Sequence, residues 1–291
     1  MARLLKEESY GVRWQSAAAT ALWITGFCLL LLLGGCAAGG SDTLTPDQAK
    51  KFLKLRGYEF DETSFRAAAA ASDVMAVNGF LAAGIDPNAR DESSGETALT
   101  AAASRGDVSV VNALLQGGAD LNAKGVGGWT ACLLALQHDH DEVAGVLLAR
   151  PALDVSAETP NGMNALMISV WRQHENFVAT LLKRGADPNH QDKDGDTAVH
   201  GAALNGDLDI LRTLLDAGAN PNLRNKLGGT ALMWAVSYGH DEVARVLLSK
   251  GADPRIKDVD GVTAAGWAAK NGQTELVRVL REAEKTAGSK K

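Results

Sequence analysis

Cysteine is scarce in this sequence: three among 291 residues, at positions 28, 36 and 132. A disulfide framework needs several pairs, so that architecture is excluded. Basic residues are not in excess either. Lysine and arginine number 29 against 35 aspartates and glutamates, a formal net charge of −6. Phosphate backbones are gripped by basic stripes, so this balance excludes nucleic acid as the main partner. No G-x-S-x-G elbow, no glycine-rich phosphate loop and no paired zinc ligands occur. The chain offers no catalytic constellation and no cofactor motif, and it reads as a non-enzyme. Long apolar runs are missing too, with one exception at 17–33.

That exception has an order. Arg3, Lys6 and Arg13 precede it, and Leu33-Gly34-Gly35-Cys36 closes it. Bases, then an apolar stretch, then small residues are the parts of an export signal. The run of 17 residues is at the lower limit of a bilayer-spanning helix, which needs about 20. Its ending resembles the lipobox of bacterial lipoproteins. The resemblance implies cleavage before Cys36, acylation of that cysteine, and a signal peptide over 1–35. An uncleaved amino-terminal anchor is the alternative. Bases before the run keep that end in the cytoplasm in both cases, so the body faces the periplasm of a bacterial envelope. Ala37, rather than Asp, after Cys36 points to the outer membrane. Residues 36–45 are small and polar and read as a flexible tether. Without its first 35 residues the chain carries a net charge of −7.

Thr45-Pro46-Asp47 has the chemistry of a helix start, with Thr45 as cap and Pro46 in the first turn. A capping helix is expected over 46–61. Beyond it the sequence repeats. Thr97, Thr130, Asn164, Thr197, Thr230 and Thr263 recur at intervals of 33, 34, 33, 33 and 33. Around them stand ETALTAAASRGD, DTAVHGAALNGD, GTALMWAVSYGH and VTAAGWAAKNGQ, and about twenty residues later GGADLNA, RGADPNH, AGANPNL and KGADPRI. A fixed period of this size means stacked units, none able to bury its apolar face alone. Thr caps a short first helix, a glycine ends it, and a second helix carries Val and Leu-Leu pairs, as in DEVAGVLL, LDILRTLL and DEVARVLL.

These motifs resemble the ankyrin repeat. The resemblance covers about 62–284, roughly seven helix-turn-helix units with short β-hairpin-like fingers, followed by a polar tail at 285–291. It implies an all-α solenoid. Departures are local. Ala follows each Thr where the family has Pro, Asn164 replaces Thr, and the unit ending ARPALDVSA is one residue longer, so its outer turn should differ.

Two clusters mimic metal sites. His138-Asp139-His140-Asp141 is one, but His140, His174 and His240 share a single repeat slot, which marks them as structural. Asp192, Asp194 and Asp196 look like the start of a calcium loop, yet its sixth and twelfth positions are Thr197 and Ala203, not Gly and an acid. Cys132 replaces a core Leu and should be a buried thiol. His200 sits where the ankyrin family often has His and should bond its neighbours.

The resemblance also implies a protein partner, bound along the concave side by finger tips and by exposed positions of the first helices. Carried onto this chain, those positions give Trp129, Gln137, His138, Met163, Trp171, Arg172, Asp194, Asp196, Leu204, Asn205, Leu227 and Tyr238. Large residues are concentrated in the middle of this row, as interface anchors are. Trp234 and Trp267 share a slot where the family has a buried apolar residue and are expected in the core. The chain thus reads as a monomeric, lipid-anchored binding module. An accessory factor protecting a periplasmic enzyme, for example against oxidative stress, is a second reading. A metal-binding or enzymatic protein is a third.

Overall fold

The structure, a computed structural model, describes residues 44–288. The signal, Cys36 and most of the tether lie outside the described residues. Fifteen α-helices and no strand are found among those described. The first, α1 (Pro46–Leu55), carries the expected cap: Thr45 accepts from the Gln48 amide, and the Gln48 side chain accepts from the Thr45 amide. Seven helix pairs follow: α2 (Glu62–Ala70) and α3 (Val74–Ala82), α4 (Ala98–Arg105) and α5 (Val108–Gln116), α6 (Ala131–Gln137) and α7 (Asp141–Leu148), α8 (Ala165–Trp171) and α9 (Glu175–Lys183), α10 (Ala198–Asn205) and α11 (Leu208–Asp216), α12 (Ala231–Ser237) and α13 (Asp241–Ser249), α14 (Ala264–Lys270) and α15 (Thr274–Gly288). The opening unit, of which only the second half was legible in the repeat pattern, is a complete pair, and α1 covers its α3.

The helices form two rows. First helices pack on first helices, from α2 through α14, and second helices pack on second helices outside them. Small residues make the inner row possible: Ala68, Ala102, Ala135, Ala202, Ala235 and Ala268 are fully buried. Second helices supply the bulk. In α11, Ile210, Leu211 and Leu214 are fully buried, and each such side chain contributes roughly 1.5–3 kcal/mol.

First helices α4, α6, α8 and α10 start from a buried cap, and α14 from a half-buried one. Thr97, Thr130, Thr197 and Thr263 accept from the amide three residues on, and Asn164 does the same for Met167. The replacement of Thr by Asn thus preserves the cap. The second helices α3 to α13 start in two ways. Asp73, Asp107 and Asp207 cap with their carboxylates. His140, His174 and His240 instead reach back, their Nε2–H groups donating to the carbonyls of Ser104, Leu136 and Leu204 in the unit before. The shared slot is therefore structural, as its periodicity suggested. The ring also explains two glycines. A Cβ at Gly106 or Gly206 would sit 2.6 or 2.5 Å from the Nδ1 of His140 or His240.

The outer turns are stitched by asparagine. Asn88, Asn122, Asn189 and Asn222 each donate to a carbonyl of the next unit, at Gly118, Ala152, Gly218 and Gly251. Each also accepts the amide of residue 120, 154, 220 or 253. The turn at 149–157 differs, as its extra residue implies. Ser156 occupies the asparagine position, and Arg184 from the following unit donates to the carbonyls of Leu148, Pro151 and Leu153.

Candidate functional site

The fingers between units are tight turns rather than paired strands. Single antiparallel bridges close three of them, at Arg90–Thr97, Lys124–Thr130 and Glu158–Asn164. From the third finger on, neighbouring tips are joined backbone to backbone: Lys193 N–H donates to Asn161 O, Lys226 to Asp194 and Val259 to Leu227, at 2.8–3.0 Å. Those three contacts hold four fingers side by side along one edge of the inner helices. Large apolar side chains protrude from this edge, with Leu227 69% and Val259 64% exposed on adjacent tips.

Beside the fingers the inner helices carry an aromatic cluster. Trp171 and Trp234 meet edge to face at 6.2 Å, Trp234 lies 6.4 Å from Tyr238, and the His200 ring is 5.7 Å from Trp234. Gly201 makes the cluster possible. A Cβ there would lie 3.3 Å from the Trp171 indole, so the absence of a side chain on α10 is what admits the ring. Tyr238 is 59% exposed, while Trp171 and Trp234 are half-buried. The Trp171 Nε1–H is buried without an acceptor.

His200 anchors the cluster from below. Its Nδ1 accepts from the Thr197 amide and its Nε2–H donates to Gly229 O. That pairing requires the neutral ring, and burial pushes its pKa below the ordinary value of 6.5. Asp196 is close by, bonded by the Asn225 amide. Burial raises its pKa, and Asp192 and Asp194 add to the rise against the opposing Asn225 bond and the nearby His200.

The other expected contact residues fall into two groups. His138, Arg172, Asp194, Leu227 and Tyr238 are exposed; Trp129, Gln137, Met163, Trp171, Asp196, Leu204 and Asn205 are half-buried. Asn205 and Arg172, like Asp196, have their polar groups engaged by other residues of the chain. Asn205 donates to the carbonyls of Val170 and Trp171, tying α10 to α8. Arg172 pairs with Asp139, which also lies 3.2 Å from His174.

Trp234 and Trp267 depart from expectation. Both are half-buried on the inner face rather than in the core. Their slot is filled by Ala101 and Gly201 in other units, and an indole is too large for so close a helix contact. It lies along the face instead, and Trp234 completes the aromatic cluster. Sequence reading placed Trp171 and Tyr238 on this face but not Trp234; Gly201, one period earlier, was the available signal. Cys132 is buried, and burial pushes its thiol up to about 12, which leaves it unreactive. Among the described residues no group of His, Cys, Asp and Glu could hold a metal ion. No described helix is long and apolar enough to cross a membrane.

The chain also matches a known family. The family described as ankyrin repeats (3 copies) covers residues 65–159, 166–258 and 199–290. No curated protein matches the chain. The chain belongs to the ankyrin repeat family, and the solenoid is a protein–protein interaction module.

Proposed function

We propose that this chain is a non-catalytic adaptor, lipid-anchored through Cys36 in a bacterial envelope, that binds another envelope protein along its finger side. The observation that carries the reading is the concentration of Leu227, Tyr238, Trp234 and Trp171 on one side of the solenoid. Contiguous exposed apolar surface marks a contact site, and aromatic side chains beside an exposed rim make effective anchors. The lipobox-like ending at Cys36 supports the anchor, and the polar tether gives the solenoid room to reach a partner beside the membrane.

Capture from intact envelopes tests both parts. A chemical crosslinker should trap a defined partner with the native protein and lose it with a Leu227→Asp, Tyr238→Ala variant. Both positions are exposed, so the variant should keep the native helical signal and melting temperature. Equal capture by the two forms would move the interface off this face. Cys36→Ser should accumulate as an unprocessed, unacylated precursor; normal processing of that variant would refute the lipoprotein reading.

A further inference from the structure

One period beyond the aromatic cluster, the protein fills the equivalent position with a cation of its own. Trp267 occupies the same slot as Trp234, and the Lys270 ammonium lies 4.6 Å from its ring centroid. The Trp267 Nε1–H donates to Asp258. Three residues after Trp234 stands Ser237, which is exposed and too short to cover an indole. Among the described residues no lysine or arginine lies over Trp234, Trp171 or Tyr238, whose ring surface is left to be covered. Arg172, next to Trp171 in sequence, is held by Asp139.

We propose that the Trp171–Trp234–Tyr238 cluster receives an arginine or lysine side chain of the partner protein, in the place that Lys270 takes over Trp267. This rests on the inner face being the binding face and specifies what the partner must present there. Two features supply the complementarity. Aromatic faces carry the negative end of a quadrupole and attract cations, most strongly at indoles. The neighbouring finger is acidic: Asp194 is exposed at its tip, and Asp196 is tied to Asn225, whose side chain lies beside the Trp234 indole at Gly229. The partly desolvated Asp196 carboxylate gains from a cation brought near it. Lys193 and Lys226 stand on exposed finger tips.

The test uses the full-length protein in detergent micelles, with 5-fluorotryptophan in place of tryptophan and each signal assigned by a Trp→Phe variant. N-acetyl-arginine methylamide is titrated against its neutral citrulline counterpart. The expected result is a saturable shift of the Trp171 and Trp234 signals with arginine, at least threefold larger than with citrulline, and no shift at Trp267. Ser237→Lys should place an internal cation over Trp234 and weaken the arginine response at least tenfold, whereas Ser237→Gln, also long but neutral, should retain it. Equal responses to arginine and citrulline, an unchanged response in Ser237→Lys, or no shift with either probe would each overturn the proposal. A partner that is still captured through Tyr238 by a protein without the arginine response would leave the binding face standing and remove the cation alone.

Discussion

The units on either side of the turn at 149–157 use one plan but are joined by different chemistry. In the later joints an asparagine on the outer turn holds the next unit, and backbone bonds link the finger tips. At the central joint the asparagine is replaced by Ser156, and Arg184 reaches back with its guanidinium to three carbonyls. The central stretch, like the opening unit at Ser72, places non-glycine residues where the units with Gly106, Gly206, Gly239 and Gly272 have a left-handed glycine: Asp139 at φ 59° and Gln173 at φ 62°. A solenoid is held by contacts between nearest neighbours, so an irregular joint needs only a local substitute, and one side chain provides it.

Substitutions on the two sides of the turn distinguish the regular joints from the irregular one. The largest effect should come from the core, which is common to both. Leu214→Ala in the regular part and Leu147→Ala beside the irregular turn remove fully buried side chains in the same slot, and each should cost roughly 2–5 kcal/mol in denaturant unfolding. A loss below about 0.5 kcal/mol at either position, the scale of surface changes, would contradict the common packing. Next, Arg184→Ala should cost about 2–3 kcal/mol by leaving three carbonyls without their donor, against about 1 kcal/mol for Asn222→Ala. Equal costs would mean that the irregular joint is no more dependent on one side chain than the regular ones.

A pH effect should separate the two sides further. His200 belongs to the regular part and is held neutral, with its pKa depressed by burial. Below the ordinary histidine value of 6.5 the unfolded chain takes up a proton that the folded site resists, so its contribution to stability is present above that pH and is lost as the pH falls towards the depressed folded value. Stability measured between pH 7 and pH 5 should therefore fall less steeply in His200→Gln than in the native protein. Parallel profiles would show that His200 is not the titrating group. The smallest effect is a gain. Gln173→Gly relieves a left-handed conformation that side chains resist and should stabilise the protein by about 0.5–1 kcal/mol.

Much of the fold was legible because it is periodic. The recurrence of Thr97, Thr130, Thr197, Thr230 and Thr263 placed the first helices, and the Leu-Leu pairs placed the second ones, because capping and amphipathic spacing are local rules. The shared slot of His140, His174 and His240 was readable for the same reason, although the carbonyls that receive their rings were not. What escaped the sequence depended on contacts one unit away. Arg184 lies more than thirty residues from the turn it supports. Trp234 reads as core from the repeat register, but exposure of an indole depends on what its neighbours leave open, here Gly201 and Trp171 one and two units earlier. Of the expected contact residues, Tyr238 and Leu227 could be placed at the surface from the repeat register alone. Asn205 could not be separated from them, because a cap on a neighbouring helix and an exposed amide look alike in sequence.

We propose that partners meet the finger side of this solenoid and not its outer row of helices. The direct measurement is site-specific photocrosslinking in intact cells, with the photoreactive residue placed at Tyr238 in one strain and at the exposed Arg212 of α11 in another. A discrete crosslinked species is expected from position 238 and none from position 212. The same species from position 212, with none from 238, would contradict it.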